Sequence, residues 1–272
     1  MIPIKDINPT SRTAWLTLLL IAANVAVFLL WEPSFGTQQE QQEFFFCNAQ
    51  IPFETTHQTT LADGGREATD AIEETFGATE PEAEGLQNFL DQTCPEKSWL
   101  ASVFVSMFLH GGVLHIAGNM LFLWIFGNNV EDRLGRLGFL IFYMLGGLAA
   151  MALQVAFDPN SAVPNVGASG AIAGILGSYL VLFPRARIHT LVIFFFITWL
   201  ELPATVVLIG WFVLQLFAGV GEMGRALGSG GVAYWAHVGG FVFGLVITWL
   251  LFRNRRQPTS PTYPTIPPPP GY

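Results

Sequence analysis

Six stretches of this 272-residue chain are apolar and nearly free of charge, and their lengths of about 15 to 21 residues are near what crossing a membrane requires. A hydrocarbon layer of ~30 Å requires roughly 20 helical residues. Apolar residues make up 51% of the chain and charged residues 12%, so a soluble fold would need an unusually large core. We therefore predict an all-α integral membrane protein, a bundle of six transmembrane helices. The predicted spans lie at about 13–31, 113–130, 137–157, 169–183, 203–220 and 233–252.

The distribution of basic residues predicts the orientation, because cytoplasmic loops carry an excess of Lys and Arg. Nine of these residues fall on one side of the predicted spans and three on the other. Both termini are therefore expected in the cytoplasm, most simply of a plasma (inner) membrane protein. The first span ends in Leu30 and Trp31 rather than in small residues, so we expect it to be retained and not cleaved as a signal peptide.

Residues 32–98 form a polar insert between the first two spans, on the extracytoplasmic side in this topology. The insert holds 14 of the 20 acidic residues of the chain. It also holds Cys47 and Cys94, the two cysteines of the sequence, and an oxidising compartment favours a disulfide between them. A short acidic helix is predicted within 66–92. Nothing in the insert indicates catalysis, so a cap or a surface for partners is the expected role.

The remaining segments have simpler interpretations. Residues 99–112 are apolar but short, which favours a segment lying against the membrane surface. The tail, 253–272, is basic and then rich in proline, which predicts an extended and disordered segment. The predicted organisation therefore has four parts. They are a cytoplasmic N-terminus with the first span (1–31), the acidic insert (32–98), a core with the other five spans (99–252) and the tail (253–272).

Polar groups within membrane spans are costly, which makes them candidates for function. Those of the predicted spans include Asn119, Ser169, Ser178, Gln215 and His237. No Asp lies within a span and no His-Glu-x-x-His motif occurs, which disfavours aspartyl and zinc proteases. A metal site built from the chain's histidines would lack an acidic or cysteine ligand, so we predict no metal and no cofactor.

Ser169 follows a segment that delays helix formation, since Pro159 and Pro164 precede it. The span that it begins, 169–183, is too short to cross fully at ~1.5 Å per residue. A helix that starts below the membrane surface needs its preceding backbone to be buried in protein or to face water, and water is what a hydrolase needs. The alternative is that Ser169 is an N-cap or a small packing residue.

His237 lies on one helical face with Gly240 and Gly244, and small residues allow a second helix to approach closely. Span four offers a matching surface in Gly170, Ala173, Gly174 and Gly177. Such a contact would bring the Ser169 hydroxyl to the His237 ring, the arrangement of a serine–base dyad. The alternative is a structural histidine buried in a helix interface.

His115 and Asn119 are four residues apart, so both side chains project from one face of span two. An imidazole N–H and an amide N–H are two donors without charge, a combination suited to an oxyanion. Hydrogen bonds between helices are the other explanation for these residues.

Together these motifs resemble the rhomboid family of intramembrane serine proteases. The motifs are His110-x4-His115-x3-Asn119, Gly167-x-Ser169-Gly170 and Ala236-His237-x2-Gly240-x3-Gly244. Glu131-Asp132-Arg133-Leu134-Gly135 is similar to the polar turn that follows span two in that family. The resemblance covers about 99–252 and the first span, and it does not cover the insert or the tail.

The resemblance implies that Ser169 is the nucleophile and His237 the general base. It also implies that His115, Asn119 and the Ser169 N–H form the oxyanion hole and that His110 is structural. The implied activity is endopeptidase cleavage of transmembrane segments of other proteins, with the lipid bilayer as surroundings, no nucleic acid and an undetermined oligomeric state.

Two features depart from the family pattern. Many members have an aromatic residue, which stacks on the histidine, where this chain has Ala173. Either another ring supports His237 or the histidine is held less firmly. A Trp-Arg pair before the first histidine is also missing.

Three further hypotheses concern function. An inactive rhomboid-like protein that binds membrane clients is the main alternative, although Ser169 and His237 are both present. A channel or transporter is disfavoured, since neither intramembrane charges nor inverted repeats are evident. The glycine-rich loop 219–234 is predicted to be a flexible cap over the site, and a loose loop without a gating role is the alternative.

Overall fold

The computed structural model describes residues 2–193, 197–222 and 233–253. Within them the chain is mostly helical, and a small sheet completes the fold. Most of the predicted cap loop and the predicted disordered tail lie outside the described residues. The helices are α1 Trp15–Leu30, α2 Gln38–Asn48, α3 Pro52–His57, α4 Gly65–Phe76, α5 Glu80–Thr93, α6 Trp99–Val105, α7 Val113–Phe122, α8 Asn128–Leu134, α9 Arg136–Phe157, α10 Ser169–Leu182, α11 Ala204–Glu222 and α12 Tyr234–Phe252.

The helices that coincide with predicted spans form what we call the bundle: α1 and α7 to α12. A π-helical turn, Leu123–Gly127, joins α7 to α8 in one continuous helix. In the described part, four helices have the length and apolar composition of membrane-crossing segments: α7–α8, α9, α11 and α12. This makes the chain a membrane protein. The other two predicted spans are shorter apolar helices, with 16 residues in α1 and 14 in α10.

The short helix α10 lies in the centre of the bundle, between α9 and α12. Nearly all of its side chains are buried, although the helix is only ~21 Å long at ~1.5 Å per residue. Gly174 and Gly177 of this helix lie against the backbone of α12. A Cβ added at Gly240 or Gly244 would overlap the carbonyl oxygen of Gly170 or Gly174, respectively. The close contact of small residues predicted for these two helices is therefore present.

Glu131 holds the N-terminus of α1. The sequence places this residue in a polar turn, but in the structure it lies in α8, which continues to Leu134. Its carboxylate accepts hydrogen bonds from the Thr17 N–H at 2.7 Å, the Thr17 hydroxyl at 2.8 Å and the Leu16 N–H at 3.1 Å. The first turn of a helix has free N–H groups, and a carboxylate satisfies them well. Glu131 thereby fixes α1 against the rest of the bundle.

A three-stranded antiparallel sheet, which the sequence did not predict, lies at the far end of α10. Its strands are β1 Ile2–Asp6, β2 Arg187–Ile193 and β3 Ile197–Pro203, with β2 in the middle. Asp6 connects β1 to the bundle, since its carboxylate accepts hydrogen bonds from the Tyr179 hydroxyl and from the Asn129 amide.

The insert contains four short helices, α2 to α5, around a hydrophobic core of its own. A disulfide joins Cys47 and Cys94, the pair predicted from the sequence. Where one acidic helix was predicted within 66–92, the structure has α4 and α5, separated by Gly77 at a φ of +66°. A left-handed residue at this point ends α4 and is easily adopted by glycine.

A buried ion pair adds to the insert. Lys97 Nζ lies 2.7 Å from Glu54 Oε2, and the side chains are 4% and 2% exposed. The same ammonium donates to the Phe46 carbonyl, and the Leu61 N–H donates to Glu54 Oε1. These additional hydrogen bonds are what a buried ion pair needs to offset its desolvation.

Candidate active site

Ser169 and His237 are in hydrogen-bond contact. Ser169 Oγ lies 2.8 Å from His237 Nε2. Ser169 is the first residue of α10 and His237 lies in the first turn of α12, so the close packing of these two helices sets the distance. His237 is 8% exposed. The arrangement has the geometry of a nucleophile beside a base.

Gly167 allows the backbone to turn towards Ser169. Its φ is +131°, a region that favours glycine, and its N–H donates to the Ser106 carbonyl at 2.9 Å. A Cβ at this position would lie 2.9 Å from His115 Nε2 and 3.3 Å from Ser169 Oγ. The His115 ring and the serine hydroxyl therefore border the same small space.

The two predicted oxyanion donors project from one face of α7. His115 reaches the space beside Gly167, as described above. Asn119 is 7% exposed, and its Nδ2 is a buried donor without a hydrogen-bond acceptor in the described part of the protein. Buried polar groups are rarely unpaired, so a donor of this kind has the capacity to bind an acceptor that comes from outside.

His110 is in contact with the site but not with Ser169. Its backbone N–H donates to both oxygens of the Glu32 carboxylate, at 3.1 and 3.2 Å. Its ring packs edge-on against His115, with the ring centroids 5.2 Å apart. Burial lowers the pKa of His110 to about 4, so the ring is neutral near pH 7. His110 thus supports the position of His115.

Gln215 and Trp211, both on α11, contact His237. Gln215 Oε1 lies 2.7 Å from His237 Nδ1. The Trp211 and His237 rings are 5.7 Å apart, with an angle of 38° between their planes. The sequence singled out Gln215 as a polar residue within a span but assigned it no role. The signal that could have found the pair is the spacing of four residues, which puts both side chains on one helical face.

The insert holds the loop that leads to Ser169, a contact that the sequence did not predict. Gln50 pairs with Asn165 through a backbone hydrogen bond of 2.7 Å and a side-chain hydrogen bond of 2.8 Å. The Thr75 hydroxyl accepts from the Ala162 N–H, and Ala162 belongs to the insert's core. The position of Ser169 therefore depends on both regions of the molecule.

In the ranges that the structure describes, no group of three or more His, Cys, Asp or Glu side chains is arranged to hold a metal ion. What the arrangement can do chemically is covalent acyl transfer, because it combines a hydroxyl, an imidazole within hydrogen-bond distance and nearby hydrogen-bond donors.

Comparison with known proteins identifies the family of this chain. The family model of the rhomboid domain matches residues 97–254. Because the match covers more than half of the chain, this protein belongs to the rhomboid family.

Several proteins of known sequence are similar to the chain. Rhomboid protein 1, mitochondrial, from Saccharomyces cerevisiae is 30% identical over 154 residues, which are 55% of this chain and 41% of the yeast protein. RHOMBOID-like protein 5 from Arabidopsis thaliana is 26% identical over 97% of this chain and 75% of its own length. Rhomboid protease GluP from Bacillus subtilis is 42% identical over 72 residues, 26% of this chain and 14% of that protein. The chain thus spans less than half of the yeast and Bacillus relatives.

Proposed function

We propose that this protein is an intramembrane serine endopeptidase that cleaves transmembrane segments of other membrane proteins. The observation that carries the proposal is the 2.8 Å contact between Ser169 Oγ and His237 Nε2 at the start of a short, buried helix. The Bacillus relative is named a rhomboid protease, which agrees with this activity.

In the first half of the reaction, His237 Nε2 takes the Ser169 proton as Oγ attacks the scissile carbonyl carbon. The carbonyl oxygen becomes an oxyanion beside His115, and the unpaired Asn119 amide and the Ser169 N–H are the further donors. A donor of this kind typically contributes a factor of roughly 10²–10³ to the rate. His237 then gives its proton to the leaving amine, and the acyl-enzyme remains.

In the second half, water attacks the acyl-enzyme with His237 again as general base, and Ser169 is released with its proton restored. Water must therefore reach Ser169. A helix that begins within the membrane and is preceded by irregular backbone, as at residues 158–168, is suited to this if the backbone lines a polar cavity.

The proposal includes six spans, with α1 and α10 added to the four long helices. The shortness of α10 matches a helix that begins at the serine below the membrane surface. The predicted orientation has both termini in the cytoplasm and the insert on the opposite side. The plasma membrane stays a prediction without support from the relatives, since one of those described above is named as mitochondrial.

The experiment is labelling of the purified full-length protein in detergent micelles with a fluorophosphonate probe, which reacts with activated serines. We expect wild type to be labelled and Ser169→Ala not. His237→Ala should lose at least about 10⁴-fold of the labelling rate, since members of a dyad act as one unit.

Ser178→Ala is the matched control, because Ser178 lies on the same helix and accepts a hydrogen bond from Thr248 at 2.8 Å, away from the site. This variant should be labelled like wild type. Folded wild-type protein that does not react with the probe, and does not cleave a transmembrane substrate in liposomes, would favour the inactive, client-binding alternative.

A further inference from the structure

Both nitrogens of the His237 ring have a partner. Nε2 faces Ser169 Oγ at 2.8 Å, and Nδ1 faces Gln215 Oε1 at 2.7 Å. A neutral imidazole carries one N–H, and an amide oxygen can only accept a hydrogen bond. With Oε1 as the acceptor, the proton is on Nδ1, and the lone pair of Nε2 is available to Ser169. This is the tautomer that a general base requires.

The surroundings of Gln215 support a specific contact. On α11, the neighbouring Val213 and Leu214 are exposed on the outer face of the bundle, whereas Gln215 is half-buried and directed inward. A polar side chain in a membrane helix is unfavourable unless it is hydrogen-bonded, and the hydrogen bond found for Gln215 is the one to His237.

Trp211 contributes a second contact from one turn earlier on the same helix. Its ring lies 5.7 Å from the His237 ring and 6.1 Å from the Phe241 ring. His237 and Phe241 are four residues apart on α12, as Trp211 and Gln215 are on α11. Two residues of one helix therefore face two residues of the other. These contacts fix the orientation of the imidazole ring, a support that Ala173 cannot give because it has no ring.

We propose that Gln215 is a positioning residue for the proposed dyad: it fixes the tautomer and orientation of His237, with Trp211 as lateral support. The inference rests on the proposed function, since it assigns a role through His237 as base. It makes α11 a part of the active site, although no residue of α11 contacts Ser169 in the interactions described above.

The test compares Gln215→Met with Gln215→Glu in full-length protein. Met has a similar length but no oxygen to accept from Nδ1. We expect it to lower kcat for a transmembrane substrate, and the rate of fluorophosphonate labelling, by roughly 10- to 100-fold with KM little changed. This is a part of the ~10²–10⁴-fold that a general base contributes.

Glu keeps an acceptor at the same place and adds a negative charge. Activity should return near neutral pH, and the acidic limb of the pH profile of kcat/KM should move to higher pH, because the carboxylate favours the protonated imidazole. The titratable side chains that face His237 from the described elements are His115 of α7 and Tyr234 of α12, and neither is changed in these variants.

Gln154→Met is the matched control. Gln154 Oε1 accepts from the N–H of Ala236, one residue from His237, at 3.1 Å, so this variant removes a similar hydrogen bond without touching the ring. The acidic limb of the pH profile of kcat/KM should be the same in this variant as in wild type.

Wild-type kcat in Gln215→Met would overturn the inference. An equal loss of kcat in Gln215→Met and Gln215→Glu, with no shift of the acidic limb in Gln215→Glu, would overturn it as well. A purely structural role of Gln215 would give that result. Failure of the proposed function gives a different result, because wild type itself would then not react with the probe.

Discussion

The bundle and the insert are both helical, but different interactions hold them together. In the bundle, α10 and α12 pack with glycine against backbone, and a Cβ added at Gly244 would overlap the Gly174 carbonyl oxygen. In the insert, short helices surround a small core with a disulfide and a buried ion pair. Thr37 and Glu40 form a capping box at the start of α2, with reciprocal hydrogen bonds.

The difference follows from the surroundings of each region. In lipid there is little hydrophobic driving force between helices, so association depends on close van der Waals packing of small residues. In water a domain of about 60 residues buries only a modest core, and cross-links and caps supply the rest. One chain thus uses two kinds of stabilisation, and Ser169, the proposed nucleophile, lies where they meet.

The largest effect is expected from a change in the glycine contact. Gly244→Leu should prevent α12 from reaching α10, because the first side-chain carbon already overlaps the Gly174 oxygen and a backbone cannot yield as a side chain does. We expect little or no folded protein, measured as monodisperse material after extraction in detergent.

Gly210→Leu is the control for the glycine contact. Gly210 lies on α11, is exposed, and has nothing within 4 Å of an added Cβ. This variant should fold. A Gly244→Leu protein that is extracted and melts like wild type would show that the bundle does not depend on the backbone contact.

A smaller and local effect is expected from Lys97→Met in the insert. Burial raises the pKa of Glu54 and lowers the pKa of Lys97, and their attraction offsets these costs. Without the lysine, the buried carboxylate has no cation beside it, and the stability of the insert should fall by roughly 3–5 kcal/mol. Hydrogen exchange of the full-length protein, followed by mass spectrometry, should be faster in α2 to α5 and in the 158–168 loop but not in α12.

Lys97→Met with Glu54→Gln removes both charges and should restore much of the protection. If α12 exchanges as fast as the insert in the single variant, the two regions unfold together and the contrast between them is lost.

The smallest effect concerns Glu32, where the two regions join. Burial raises the pKa of its carboxyl to about 7, although the hydrogen bond from the His110 N–H acts in the opposite direction. A raised pKa means that the folded state binds the proton more tightly than the unfolded state. The stability contributed by this group is therefore present below about pH 4.5 and is lost as the pH rises through 7.

Glu32→Gln should remove this dependence. The melting temperature of wild type minus that of Glu32→Gln, measured in micelles from pH 5 to pH 8, is expected to fall with rising pH. The neighbouring His110, with a pKa of about 4, stays neutral in this range. A constant difference would mean that Glu32 titrates as an ordinary surface carboxyl.

The bundle could be predicted well because lipid imposes strong rules on sequence. The uncharged stretches gave the helices to within a few residues, for example 137–157 against Arg136–Phe157. Ser169 at a helix start and the small-residue faces of α10 and α12 could also be found, since spacing along a helix determines which residues share a face. The three-stranded sheet was missed. The pairing of β1 with β2 joins residues distant in the chain, such as Ile2 and Leu191, which no local pattern records. β2 and β3 are close in the chain, and their pairing was also not recognised from the sequence.

The sequence by itself determined the family, the helices of the bundle and the identity of the two residues proposed to carry the reaction. What the tertiary structure decided is how they are held. The hydrogen bond that Gln215 Oε1 accepts from His237 and the contact of Gln50 with Asn165 join residues 22 and 115 positions apart, respectively. Helical periodicity orders neighbours within about two turns, whereas such pairs are brought together by the packing of whole helices, which no local pattern of residues records.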